Sequence, residues 1–200
     1  MFVADLLRHG ELLGGIKYRG HIEGKLSSKG LRQMDDVWKK ICHDIDLIIS
    51  SPLSRCADPA QRWAKQKNIP CIIDARIIEM HYGQWEGLSH DDIEAAFPGS
   101  LQQWREDPTG MRPPDGESPE ELQVRVVGFW QDICRTYKGK RACIVGHSGS
   151  IRMLIAHIQQ QSIAHTRNID MPYACWSRAE HQHEQSKMLF IHKTSSCSHA

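Results

Sequence analysis

Net charge is the first thing this chain has little of: 25 lysines and arginines nearly cancel 24 aspartates and glutamates, leaving a formal net charge of +1. Such a balance gives no long-range field to draw in nucleic acid or an anionic membrane, so any anion site has to be local. A membrane-spanning run is missing as well, because no stretch approaches the ~18 uncharged residues needed to cross a bilayer. The apolar start from Met1 to Gly10 does not read as an export signal. Asp5 and Arg8 interrupt it, no basic region precedes it, and no small-residue cleavage site follows. The expectation is a soluble, cytoplasmic protein without nucleic-acid or membrane partners, as a monomer or a homodimer. Seven cysteines, at 42, 56, 71, 134, 143, 175 and 197, show no C-x-x-C spacing, and their odd number leaves at least one without an intramolecular partner. Several sit in apolar runs, which fits buried free thiols in a reducing compartment. Repeats, linkers and low-complexity tracts are absent too. With 40% hydrophobic residues, the 200 residues suffice for a single domain spanning 1–200.

What is present alternates. Phe2 to Leu7, Asp46 to Ile49, Cys71 to Ile73 and Arg141 to Val145 are short apolar runs that suit buried strands. Between them lie helical patterns. Leu31, Met34, Trp38 and Ile41 recur at helical spacing after the capping pair Ser27-Ser28. Ser118-Pro-Glu-Glu121 supplies an N-cap, a first-position proline and a third-position glutamate for a stripe of Leu122, Val126, Phe129 and Ile133, with Gly139 as the stop. A further helix is predicted from Ser150 to about Gln160, and Pro59 predicts that the helix after Arg55 begins near Asp58 with Arg55 in the preceding loop. Tyr173 to Arg178 and Met188 to His192 read as two more strands joined by a polar turn over 181–185. This alternation predicts an α/β fold, a doubly wound, mostly parallel sheet with helices on both faces. Residues 81–117, rich in Gly, Pro, Trp and acid, read as an excursion or lid with a short helix from Ser89 to Phe97. The end from Thr194 to Ala200 is expected to fray.

Three strand ends carry chemistry. Arg8 and His9 follow the first strand, Arg55 follows the second, and His147 ends the strand of Ala142 to Val145. Ligands of open parallel sheets bind beyond those ends, and the glycine at position 10 suits close approach of backbone to a ligand. Two arginine forks and one imidazole can hold a phosphoryl group while the other imidazole attacks it. A carboxylic acid such as Glu79 can protonate the leaving oxygen, with Glu86 and Asp91 as backups that suit a solvated surface better.

Five stretches together resemble the histidine phosphatase superfamily, which includes cofactor-dependent phosphoglycerate mutases. They are Leu6-Leu-Arg-His-Gly-Glu11, residues 18–30, Ser50-Ser-Pro-Leu-Ser-Arg-Cys56, residues 79–87 and Val145-Gly-His-Ser-Gly149. The Gly14-Gly15 pair, Tyr18-Arg19-Gly20 and residues 113–118 look most like bacterial α-ribazole phosphatase-type proteins. The resemblance implies a metal-independent phosphomonoesterase without a cofactor, acting on a small phosphorylated metabolite such as α-ribazole 5′-phosphate. It implies His9 as the phosphohistidine, Glu79 as proton donor, and Arg8, Arg55 and His147 around the phosphate. Gly15 stands where relatives often carry asparagine, so one side-chain contact to phosphate would be absent or replaced by a backbone N–H. Tyr82 and Trp85 are near enough to Glu79 in sequence to touch the organic part of a substrate. Ser148 either contacts substrate or caps the helix that follows, and capping is the simpler role.

Two other readings compete. A phosphoglycerate mutase of the same superfamily would need more enclosing chain and extra cationic contacts. Gly146-His-Ser-Gly-Ser150 nearly spells the elbow of an α/β-hydrolase serine esterase, with Asp170 and His181 or His192 to complete it, but its fifth residue is serine and it leaves Arg8, His9 and Arg55 unused. His181-x-His183 alone is too little for a metal site, and exposure in a turn explains it.

Overall fold

In a computed structural model, which describes residues 1–193, four apolar runs become parallel strands: β1 (Phe2–Arg8), β2 (Leu47–Ser50), β3 (Cys71–Ile73) and β4 (Arg141–Gly146). Residues 194–200, including Cys197 and the end expected to fray, lie outside the described residues. Two further strands, β5 (Trp176–Gln182) and β6 (Gln185–Lys193), add antiparallel to the β1 edge, giving the order β3-β2-β4-β1-β5-β6. This hairpin corrects the shorter strands read from the sequence. His181, Gln182 and Gln185 belong to the strands, and only His183 and Glu184 turn, both at positive φ (51° and 61°). Two consecutive left-handed residues match the twist of a tight hairpin, and the polar residues beside them sit on a sheet edge where water satisfies them.

Along β4, alternate side chains go to opposite faces: Ala142 and Ile144 to one core, Cys143 and Val145 to the other. The helices are α1 (Ser28–Ile41), α2 (Ser54–Lys67), α3 (His90–Ala96), α4 (Ser100–Glu106), α5 (Pro119–Thr136) and α6 (Ser148–Ile158). Met34, Val37, Trp38 and Ile41 of α1 and Cys56, Ala60, Trp63 and Ala64 of α2 cover one face, with Trp38 and Trp63 stacked at 5.1 Å. Leu122, Val126, Phe129 and Ile133 of α5 join Met153, Leu154 and Ile155 of α6 on the other. Each Val, Leu, Ile, Phe or Met among them, buried fully, stabilises by ~1.5–3 kcal/mol relative to exposure. Ser27 and Ser118 cap α1 and α5 as predicted, and α5 ends at Thr136, just short of Gly139. Among the described residues no helix is long and apolar enough to cross a membrane.

Two helix starts differ from the sequence reading. α2 begins at Ser54 and carries Pro59 inside it, so Arg55 lies in its first turn. The cause is remote: Glu23, 31 residues away, accepts from the Ser54 N–H and hydroxyl, and the Leu53 carbonyl accepts from both Cys56 and Ala57. A buried apolar stripe then offsets the one hydrogen bond that proline forgoes. α6 begins two residues early, at Ser148, because His147 is its N-cap and the Ser150 Oγ accepts the His147 N–H. Ser148 therefore does not cap it.

Candidate active site

β1, β4 and β2 are adjacent and parallel, so their carboxyl ends open on one side of the sheet. The His9 N–H donates to the Gly146 carbonyl and the Ser51 N–H to that of Val145, extending the ladder by one residue into the site. His9 and His147 consequently meet edge to face, ring centroids 5.3 Å apart. Gly10 takes a different role from the one expected. A Cβ there would stand 2.1 Å from the Gly30 carbonyl oxygen, and one on Gly30 would stand 2.1 Å from that of Glu11. The glycine admits the backbone of α1, not a ligand.

The protonation of both rings follows from their partners. His9 Nδ1 faces the Gly10 carbonyl at 2.8 Å and must donate to it, which leaves the Nε2 lone pair free. His147 Nδ1 accepts the Nε–H of Arg55 at 3.2 Å, so its proton sits on Nε2 and goes to Ser51 Oγ at 2.7 Å. Both rings are held neutral. Burial, then Arg8, keeps His9 well below its ordinary pKa, and burial, then Arg55, does the same for His147. His147 is 0% exposed and is not among the residues that line the cavity. In this structure both its nitrogens are committed to Arg55 and Ser51.

A cavity of about 350 Å³ opens above His9. Arg8, Arg55, Glu79, Tyr82 and Ser148 line it; Gly15 does not, and its carbonyl accepts from Arg19. Arg8 lies over the Tyr173 ring at 4.3 Å with its buried Nε unpartnered. Arg55 gives Nη1 to the Ile22 carbonyl and Nη2 to that of Gly20, so each retains one N–H. Both Glu79 oxygens accept the Gly149 N–H, at 3.0 and 3.1 Å, where any side chain would collide with the carboxylate. A second cavity, of about 500 Å³, lies on the other side of Arg55 between the starts of α1 and α2, and holds neither histidine nor Glu79.

Glu86 is no solvated carboxylate. It accepts from the backbone N–H groups of His21, Ile22 and Tyr82, clamping the loop whose carbonyls hold Arg55. Asp91 is exposed in the first turn of α3. Trp85, Trp104 and Trp130 are core residues, and Trp104, with Tyr18, supplies the aromatic wall expected of Trp85. Asp170 pairs with His192 at 3.4 Å, and neither lines the cavity with Ser148, so no serine triad assembles. Lys17, Arg19, Arg152 and Arg167 also line the cavity and were missed. Arg152, one turn after Ser148 on the same helix face, was open to detection; Arg167, in the 3-10 turn Ile163–Asn168, left no pattern.

The model of the family described as the histidine phosphatase superfamily (branch 1) matches residues 5–194. The chain is 28% identical over 139 residues to phosphoserine phosphatase 1 of Hydrogenobacter thermophilus, covering 69% of this chain and 66% of that one. It is 27% identical over 175 residues to the adenosylcobalamin/α-ribazole phosphatase of Salmonella typhimurium, covering 86% and 87%. This chain spans as little as 42% of the length of other curated relatives. Among solved structures, the mycobacterial glucosyl-3-phosphoglycerate phosphatase in complex with VO3 superposes with a TM-score of 0.86 at 26% identity, covering 96% of this chain and 99% of that one.

Proposed function

Because the chain belongs to the histidine phosphatase superfamily, we propose that it is a metal-independent phosphomonoesterase that carries the phosphoryl group on His9 Nε2. One observation supports this above the others: the Gly10 carbonyl takes the Nδ1 proton, so the remaining lone pair of a neutral imidazole is left for phosphorus in an arginine-lined cavity. In the first step Nε2 forms a bond to phosphorus as the ester P–O bond breaks, and Glu79 gives its proton to the departing alcohol oxygen. In the second, the Glu79 carboxylate takes a proton from water, the water oxygen bonds to phosphorus, and the P–N bond breaks. Arg8 and Arg55 hold the equatorial oxygens, where phosphoryl transfer concentrates charge. Ser148 and Tyr82 touch the substrate from α6 and the excursion. His147 acts on phosphate through Arg55, whose Nε it holds. The substrate is a small phosphorylated metabolite, with α-ribazole 5′-phosphate one member of the class.

The test is incubation with a ³²P-labelled phosphate ester followed by alkaline quench. The wild type retains acid-labile label and releases phosphate in the presence of EDTA; His9→Ala does neither. Label retained by His9→Ala, or activity lost to EDTA and restored by Zn²⁺ or Mg²⁺, would sink the proposal. The mutase reading gains one point in its favour, the extra cations Lys17, Arg19, Arg152 and Arg167. Supplying 3-phosphoglycerate separates the two: phosphate accumulates from a phosphatase, 2-phosphoglycerate from a mutase.

A further inference from the structure

The cavity above His9 carries more positive charge than one phosphate can use. Six permanent cations line it, Arg8, Lys17, Arg19, Arg55, Arg152 and Arg167, against the single carboxylate of Glu79. Among the described residues none of the six forms an ion pair with a carboxylate. A phosphate monoester brings a charge of only about −2. Arg8 and Arg55 flank the nucleophile, which leaves the pair on α6 and the following 3-10 turn without a role in the phosphoryl step.

That pair is built as a site. The Arg152 Nε donates to the Ile169 carbonyl at 2.8 Å, so the segment that carries Arg167 also fixes the Arg152 fork. The Arg167 Nε is buried and has no hydrogen-bond partner. A buried guanidinium N–H left unpaired is costly, and an anionic acceptor removes that cost. Burial, and after it the like charge of Arg152, lowers the proton affinity of both Arg167 and Arg8. Tyr82 and Trp104 lie alongside both arginines in the adjoining recess.

We infer that Arg152 and Arg167 form a second anion subsite, and that the substrate is a phosphate ester bearing a further anionic group, a carboxylate or a second phosphate, beyond the ester carbon. This rests on the phosphatase reading for the other end of the same molecule. Paired guanidinium forks recognise either group by parallel hydrogen bonds.

Three esters of matched length test it: 3-hydroxypropyl phosphate, 3-phosphonooxypropanoate and propane-1,3-diyl bisphosphate, with kcat/KM measured for phosphate release. The wild type should prefer one of the doubly anionic esters by roughly 10- to 100-fold, which is what charged hydrogen bonds contribute. Which of the two leads identifies the group. Arg152→Gln and Arg167→Gln should each bring that ratio towards unity through KM, and Arg167→Lys should restore part of it. Because the ratio is taken within each variant, a general loss of folded enzyme does not alter it. A wild-type ratio near unity, or a ratio unchanged in both glutamine variants, overturns the subsite. Should no ester release phosphate, calorimetric titration of the same three decides. Tighter binding of a doubly anionic ester that Arg167→Gln abolishes upholds the subsite while the phosphatase reading falls; equal binding of all three overturns it.

Discussion

Arg125 Nη2 donates to the backbone carbonyl of Glu79 at 2.9 Å, and Nη1 to those of Arg76 and Ile78 at 2.7 and 2.8 Å, so a residue of α5 sets where Glu79 stands. Its Nε is held in turn by Glu117 at 2.6 Å. Arg125→Met should lower kcat about 10- to 100-fold on alkyl phosphates, the scale of a small misplacement of a proton donor, and much less on aryl phosphates. Glu79→Gln should share that leaving-group dependence more steeply. A leaving-group series on both variants checks this, and equal losses on alkyl and aryl esters would count against positioning.

Two buried neutral imidazoles make stability depend on acid. The unfolded chain takes up protons near the ordinary histidine pKa of 6.5, whereas His9 and His147 in the folded protein take them up only well below it. In that window the unfolded state binds more protons. Stability is therefore full above the ordinary value and falls as pH drops below it, by up to about 1.4 kcal/mol per pH unit for each ring. Urea midpoints measured from neutral to mildly acid pH should decline, and His147→Asn should shallow the slope. A midpoint that rises on acidification has the opposite sign and rejects the account.

Asp5, 0% exposed on β1, accepts from Arg141 and Arg178 at 3.0 and 2.9 Å and from Trp176 Nε1 at 2.9 Å. Removing it takes the carboxylate from Arg178 and the indole N–H and leaves Arg141 with Asp44 alone, at 2.8 Å. Asp5→Ala should cost about 3–5 kcal/mol of unfolding free energy, measured by denaturant titration. A cost below about 1 kcal/mol, the level of a surface ion pair, would contradict the burial.

Glu86→Gln removes an anion from a clamp that serves only N–H donors, and turns two of its acceptor sites into donors. The loop from Gly20 to Ile22 should loosen and Arg55 with it. Competitive inhibition by vanadate should weaken roughly tenfold, a loss in line with one charged hydrogen bond. Unchanged inhibition would detach Glu86 from the phosphate end of the cavity.

The strands that end in His9 and His147 were legible because burial on both faces makes β1 and β4 continuous apolar runs, and a histidine at each end breaks the pattern visibly. Ser27 and Ser118 were legible because caps act within three residues. What failed acts at a distance. Glu23 starts α2 from 31 residues away, so Pro59 misled the reading of Arg55. The carboxylate of Glu86 looked idle until folding brought three amides to it. For His147, a strand end says which side of the sheet the residue faces, and not how deep its ring lies. Arg167 belongs to a six-residue 3-10 segment, too short for any periodicity to mark its side.

The mutual approach of Gly10 and Gly30 makes these two positions a single locus under mutation. Each lacks a Cβ because main chain of the facing segment, Gly30 for the one and Glu11 for the other, occupies that volume, so a library that varies either one should return glycine alone. A compensating change at the other position offers no relief, since the obstacle is main chain on both sides. The loop that begins at His9 therefore cannot be redesigned apart from α1: at Gly10 and Gly30 main chain packs on main chain, which no choice of rotamer adjusts.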